Sequence, residues 1–277
     1  MRTRSCFTAL LGACLLFLVP LSNADITVTG GSTSYQQRIE QLLASSFSQV
    51  ERSRTQLTIL LGAAAFQTYC ESPSGGPVLV VYVYRSQVAS LEKDCLAQSS
   101  VLVADAPSDS LDRLAKSLFP GMATAMLGAT PASSDFQYRY AVDSRLPVPP
   151  EGVARGLGRL IEEGGWRVFL MPLDPSIYQP TDYRLAIETL LRARRPTLVT
   201  VEGLLMQGAA AAAFYSSNQI DQAIVDSISG LIGSGQLKAR APNRVSIAVN
   251  KDVLRNFFGR VITDSELLKI DREVNGG

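Results

Sequence analysis

The segment Pro77–Tyr84, PVLVVYVY, restricts the fold more than any other. It is continuous, apolar and β-branched, the pattern of a strand in a parallel sheet covered on both faces. Similar runs recur at Ile26–Thr29, Leu57–Leu61, Val101–Ala104, Met122–Leu127, Arg167–Leu173, Thr197–Val201 and Arg244–Val249, and Phe136–Val142 is expected to be extended. Helical stripes alternate with them. Tyr35, Ile39, Leu42, Leu43 and Phe47 fall on one helix face, as do Val153, Leu157, Leu160 and Ile161 before Gly164-Gly165. A helix capped by Thr181 is expected to bury Ala186, Ile187, Leu190 and Leu191 until Pro196 stops the pattern. Ile220, Ile224, Ile228, Leu231 and Ile232 mark another, and Ala63–Cys70, Ser108–Leu118 and Ser265–Val274 are also expected to be helical.

This repeated alternation predicts an α/β protein with parallel sheets and flanking helices. Each half reads as its own βαβ series, so the expectation is two Rossmann-like lobes rather than one sheet. Ligands of open α/β sheets sit beyond the carboxyl ends of the strands. With two such lobes, the site is expected in the cleft between them.

The amino terminus bears on location. Met1-Arg2-Thr3-Arg4 precedes the apolar run Phe7–Leu21 and then Ser22-Asn23-Ala24, the pattern of a secretory signal peptide. The apolar run is about 15 residues, against ~20 for a membrane-spanning helix. A membrane anchor is the alternative, and Leu11-Gly12-Ala13-Cys14 offers lipidation as another. Removing residues 1–24 takes away Arg2 and Arg4 and no acid, moving the net charge from +1 to slightly negative. No nucleic-acid surface is expected from that balance.

Cys6 and Cys14 would leave with the signal, which leaves Cys70 and Cys95. In an oxidising compartment a disulfide is expected, two buried thiols being the alternative. The chain contains no histidine. That removes His-based general base catalysis, the Ser-His-Asp triad and most zinc sites. No cofactor or metal is expected. Gly156-x-Gly158 lies inside a helical stripe and lacks a third glycine, so it is no dinucleotide fingerprint. The Arg192–Arg195 cluster reads as a solvated helix end.

From Val153 onward the motifs resemble a known family. Asp174-Pro175 after a strand, the strand Pro196–Val201, the run Gly208–Ser216 ending in Tyr-Ser, the Gln219-Ile220 helix start and Val245–Asn250 follow in order. In that order they are similar to the ABC-type periplasmic substrate-binding proteins of the type I periplasmic-binding fold. GGSTSYQQRIEQLL, LTILLGAAA and PVLVVYVYR match more loosely in the first half. The resemblance implies two lobes joined by a three-strand hinge, with crossings near Asp105, Phe214 and Arg244. It makes Ala209–Ala213 a strand despite the helix propensity of alanine. Residues 1–24 are then the signal peptide, 25–106 with 214–243 the first lobe, and 107–213 with 244–277 the second. Two departures stand out. A strand–helix unit between Phe47 and Leu57 is trimmed, and Glu202 and Gln207 flank a loop that is apolar or Ser-rich in many relatives.

A closing binder needs polar groups at strand ends and backbone donors at helix starts. The candidates are Ser32, Thr33, Gly62, Ala63, Tyr84 and Arg85 in the first lobe, and Thr130, Ser133, Asp174 and Glu202 in the second. A carboxylate among them can pair with a ligand amine and Arg85 with a carboxylate. Each also has an ordinary reading, Asp174 as a turn residue and the hydroxyls as helix caps. The leading expectation is a monomeric periplasmic protein that closes on a small, amino-acid-like solute and passes it to an ABC permease. The alternative is an accessory that reports its ligand to a membrane sensor kinase or receptor. An exported enzyme is the third reading, disfavoured by the missing histidine.

Overall fold

A computed structural model describes residues 25–73, 75–88, 93–128, 142–175 and 177–276. The signal-peptide reading, Thr130, Ser133 and most of Phe136–Val142 lie outside these residues. No helix among the described residues is long and apolar enough to cross a membrane.

Two separate sheets form. The first contains β1 (Ile26–Gly30), β2 (Leu57–Leu61), β3 (Val78–Val83) and β4 (Ser100–Val103), all parallel in the order β1-β2-β3-β4. Its connections are α1 (Thr33–Ser46), the short α2 (Gln49–Arg54), α3 (Ala63–Glu71), α4 (Arg85–Val88) and α5 (Lys93–Ala97). Between α1 and β2 stands only α2, so the trimmed unit is replaced by one capped turn and a half. Ser48 accepts from the Glu51 amide while the Glu51 carboxylate accepts from the Ser48 amide, a capping box that lets so short a helix form.

The second sheet contains β5 (Thr124–Gly128), β6 (Ser144–Pro147), β7 (Val168–Met171), β8 (Thr197–Val199), β9 (Ala211–Phe214) and β10 (Ser246–Val249). Its order is β10-β9-β8-β7-β5-β6. All neighbours are parallel except β10, which runs antiparallel to β9. Its connections include α6 (Ser108–Leu118), α7 (Val153–Glu163), α8 (Pro180–Arg192) and a 3-10 turn over Glu202–Gln207. Then come α9 (Ser217–Ser234), α10 (Lys251–Phe258) and α11 (Asp264–Asn275).

Period-2 alternation sorts each sheet's side chains onto two covered faces. In the first sheet Leu57, Ile59, Leu61, Leu79 and Val81 pack toward α1 and α9, while Leu60, Val78 and Val80 pack toward α3. The poly-alanine β9 obeys the same rule. Ala211 and Ala213 join the cluster that holds α6, and Ala212 and Phe214 join the one that holds α7 and α8. Burial between β8 and β10 overrides the helix propensity of this run, because a strand there satisfies every backbone group within the sheet.

The chain passes between the sheets three times. After β4 it crosses at Asp105 into α6, which lies on β7, β8, β9 and α11. After β9 it crosses at Tyr215 into α9, which contacts α1 and bonds to it through Arg38 and Asp221. The third passage lies between Leu237, whose carbonyl accepts from Ser100, and β10. Gln219 staples the last two. Its Oε1 accepts from the Ser216 amide at 2.7 Å and from Ser246 Oγ at 3.0 Å, and its Nε2 donates to the Arg244 carbonyl at 3.0 Å.

Some local expectations are corrected. Gln179, not Thr181, is the N-cap of α8, and Pro180 holds its first turn, where a missing N–H costs nothing. Tyr35 is 50% exposed and off the core stripe that Ile39 and Leu43 form. β5 begins at Thr124 rather than Met122, and α10 is a helix that the apolar pattern does not mark. The Cys70–Cys95 disulfide is present. Since α3 runs back from the carboxyl end of β2, and α5 leads into the start of β4, the bond sits at the amino edge. Arg195 does not simply dangle in solvent. Its guanidinium lies 5.0 Å from the Trp166 ring, whose indole N–H donates to the Leu160 carbonyl.

Candidate functional site

The carboxyl ends of β3, β4, β8 and β9 face one cavity of about 240 Å³. Both sheets furnish it. Tyr35 and Arg38 come from α1, Tyr82 and Tyr84 from the end of β3, and Asp105 from the first passage. Thr200–Gly203 come from beyond β8, and Phe214–Ser217 from the second passage.

A bulge in β3 aims one of these side chains. The β3–β4 register shifts between Val80 and Val83, and Tyr82 holds a positive φ of 56°. Without the shift, alternation would turn Tyr82 toward α3. With it, Tyr82 packs on the α1 side and Val83 takes its place toward α3. The Tyr82 ring then meets Tyr35 with centroids 4.9 Å apart. Its hydroxyl is buried with no hydrogen-bond partner among the described residues. Burial and the Asp221 charge push its pKa up to about 12, outweighing the opposing Arg38. A non-glycine residue in this region of φ is a local strain that the surrounding structure holds in place.

The other tyrosines share that environment. Tyr84 is raised above the ordinary phenol value by burial, with Tyr35 and Asp105 adding to it. Tyr215 is raised mainly by burial, with Arg85 opposing and Asp105 adding. Tyr183 does not line the cavity; its pKa is raised by burial against the opposing bond from the Asp174 amide, with Tyr84 among the smaller causes.

The cavity's charges are mostly paired. Arg38 Nη2 donates to Asp221 Oδ2 at 2.6 Å and Nε to Oδ1 at 3.2 Å, a bidentate fork. Asp105 is 2% exposed, and its Oδ1 accepts from the Arg85 amide at 2.8 Å. Arg85 Nε stands 3.9 Å from Asp105 Oδ2. Glu202 is exposed at the start of the 3-10 turn and makes no ion pair among the described residues.

Of the residues named from the sequence, Tyr84 and Glu202 line this cavity. Arg85 does not line it, but pairs with Asp105, which does, and its charge also acts on Tyr215. Ser32 and Thr33 are exposed at the start of α1, Ser32 bonded to Ser34, and it is Tyr35 and Arg38 of the same helix that line the site. Gly62 and Ala63 do not line it. Gly62 is the N-cap of α3 at φ 87°, a conformation that favours glycine without any ligand. Asp174 is buried in its own turn. Its amide donates to Tyr183 Oη at 2.9 Å and its carbonyl accepts from the amides of Ile177 and Tyr178. Sequence reasoning missed Tyr35, Arg38, Tyr82, Asp105 and Tyr215. The density of tyrosine at strand ends and helix starts was the available signal, but Tyr35 fitted a core stripe and Tyr82 an apolar strand.

A larger groove of about 730 Å³ runs between α9 and the segment leading to Arg244. Only α9 and residues 236–244 line it, so it draws on one stretch of chain and not on the carboxyl ends of both sheets, where the α/β architecture builds its site.

No family model matches the chain, and no curated protein matches it in sequence. Solved structures do match in fold. A conserved domain protein from Vibrio cholerae O1 biovar El Tor aligns with TM-score 0.61 at 12% identity, over 89% of this chain and 98% of that one. An ABC domain in complex with L-tryptophan from Streptococcus pneumoniae aligns with TM-score 0.61 at 14% identity, over 89% and 98%. The ligand-free, open form of a substrate-binding protein with adhesive properties from Clostridium difficile aligns with TM-score 0.62 at 12% identity, over 87% and 96%. At these identities the likeness is one of fold, and it spans nearly the whole of each partner. Two mostly parallel sheets, three passages between them and a cavity at their facing carboxyl ends therefore give this chain the type I periplasmic-binding fold of the ABC-type substrate-binding proteins.

Proposed function

We propose that this chain is an extracytoplasmic solute-binding protein that closes its two lobes around a small organic molecule. The observation that carries the reading is the cavity at Tyr84 and Glu202, furnished by both sheets and by the first two passages. A ligand that touches both walls stabilises the closed arrangement by the contacts the open one lacks. In this reading residues 25–106 with 214–243 move as one body, and 107–213 with 244–277 as the other. Residues 1–24 direct export to the periplasm, and the liganded monomer is handed to an ABC-type permease. The tryptophan-bound neighbour supports a ligand of amino-acid size, since the cavity is small. Histidine-free and without a cluster of metal-ligating side chains among the described residues, the site is read as one for binding rather than catalysis.

The test is a thermal-shift screen with amino acids, amines, nucleosides and sugars, followed by small-angle scattering with each hit. A true ligand raises the melting temperature by mass action and shrinks the radius of gyration. If no solute class does either, the reading fails. Cell fractionation and cross-linking of the full chain test export and the permease; capture of a sensor kinase instead would favour the accessory role.

A further inference from the structure

We infer that the cleft selects an organic cation, a small amine or ammonium compound carrying an aromatic ring and no carboxylate. This rests on the solute-binding reading and names the class of solute.

Two independent features of the cavity carry it. The first is aromatic. Tyr35, Tyr82, Tyr84 and Tyr215 all line a space of about 240 Å³, and Tyr82 is brought there by a bulge and a strained backbone. Tyrosine π-systems attract a cation within about 6 Å of the ring centroid, most strongly where water is excluded. They also offer a flat surface to a ring. The second feature is charge. The lining holds one basic residue, Arg38, against Asp105 and Glu202. Both Arg38 donors that bond to Asp221 are engaged in a fork, so this guanidinium already has its carboxylate. Arg85, whose charge answers Asp105, is not part of the lining. Taken together, Arg38, Asp221, Arg85, Asp105 and Glu202 carry a net negative charge, and Glu202 is the carboxylate without an ion pair among the described residues.

A zwitterionic amino acid would place its carboxylate in this field with no unpaired cation in the lining to receive it. An amine meets Glu202 on one wall and the tyrosines on the other. The cavity lies below the roughly 300–1,000 Å³ usual for drug-sized ligands, which suits a single ring with a short chain.

The experiment uses the full chain and three probes that share one ring: phenethylamine, L-phenylalanine and phenylacetate, a cation, a zwitterion and an anion. Calorimetric titration is expected to rank them in that order, the cation at least about tenfold tighter than the zwitterion. Glu202→Gln is expected to abolish the preference and Glu202→Asp to retain part of it. Glu202 is exposed, so circular dichroism and the unliganded melting temperature should be unchanged in both variants, which separates loss of binding from loss of fold. Tighter binding of phenylalanine or phenylacetate overturns the inference, as does an unaltered preference in Glu202→Gln or no binding by any of the three. A neutral sugar or nucleoside that binds and compacts the protein would leave the solute-binding reading standing and remove this one.

Discussion

The two sheets reach the same cavity by different routes. In the second, β5 lies between β6 and β7, so the strand order reverses there, as a doubly wound sheet requires. The first runs monotonically from β1 to β4, and with only α2 between α1 and β2 it has no reversal among the described residues. Its connections α1 and α3 still pack on opposite faces of the sheet, but not at a reversal of strand order. The first lobe instead furnishes its wall with side chains: Tyr35 and Arg38 from α1, and Tyr82 turned inward by the β3 bulge. The second lobe contributes one loop, Thr200–Gly203, which carries the Glu202 carboxylate and is held by the Leu173 amide donating to Thr200 Oγ1 at 2.8 Å. The comparison teaches that a sheet without a reversal of strand order can still furnish a binding wall, its surface supplied by a bulge and aromatic side chains.

Energetically the sheets are not separate. One apolar cluster runs from Leu79 and Val81 through α6 and α9 to Val168 and Leu170. The largest expected effect tests the second sheet. Phe169 is fully buried, 5.9 Å from the chain's single tryptophan, Trp166. Phe169→Ala should cost about 3–5 kcal/mol by lost burial and a cavity, read in chemical denaturation followed by Trp166 fluorescence. The next tests the first sheet. Replacing Cys70 and Cys95 by serine, or reducing the bond, frees a loop of 25 residues and should cost about 3 kcal/mol. Because the core is continuous, the Trp166 transition should move together with the far-ultraviolet circular dichroism. A Trp166 signal that stays put would show the lobes unfolding independently.

A smaller effect is expected at the passages. Gln219→Ala removes the capping partner of Ser216 and the bond to the Arg244 carbonyl, and should cost about 1–2 kcal/mol. If the passages work as a hinge, this variant should also change the scattering difference between liganded and free protein. The smallest effect concerns the tyrosine wall. Tyr82 titrates at about 12 in the folded protein against 10.0 ordinarily, so the folded state holds its proton longer than the unfolded one. The stability this gives is fully present below pH 10 and is lost as pH rises toward 12, with Tyr84 and Tyr215 shifted in the same direction. Tyr82→Phe deletes a buried hydroxyl that makes no well-formed hydrogen bond, so neutral-pH stability should hold or rise slightly. It should also flatten the alkaline loss. An undiminished loss in that variant would place the effect on the other tyrosines.

Much of the fold was legible because apolar period reports burial directly. Ser108–Leu118 and Leu57–Leu61 begin and end where the pattern places them. β9 was legible only through resemblance, since five alanines carry no periodic signal and their propensity points to helix. The site was legible in part. Tyr84 and Glu202 follow strands and line the cavity, whereas Asp174 follows β7 and is buried in a turn, its amide bonded to the Tyr183 hydroxyl. Tyr82 was not legible at all, because nothing in PVLVVYVY marks a bulge, and a one-residue register shift reverses which face a side chain takes.

By itself the sequence determined the class of fold, the alternation of buried strands and amphipathic helices, and the absence of histidine chemistry. Those depend on local period and composition, which need no knowledge of partners. Tertiary structure decided which strand ends meet, that β10 returns antiparallel, and that four tyrosines from three separate segments share one cavity. Those depend on pairings between residues far apart in the chain, settled by the balance of burial and hydrogen bonding over the whole molecule rather than by any one segment.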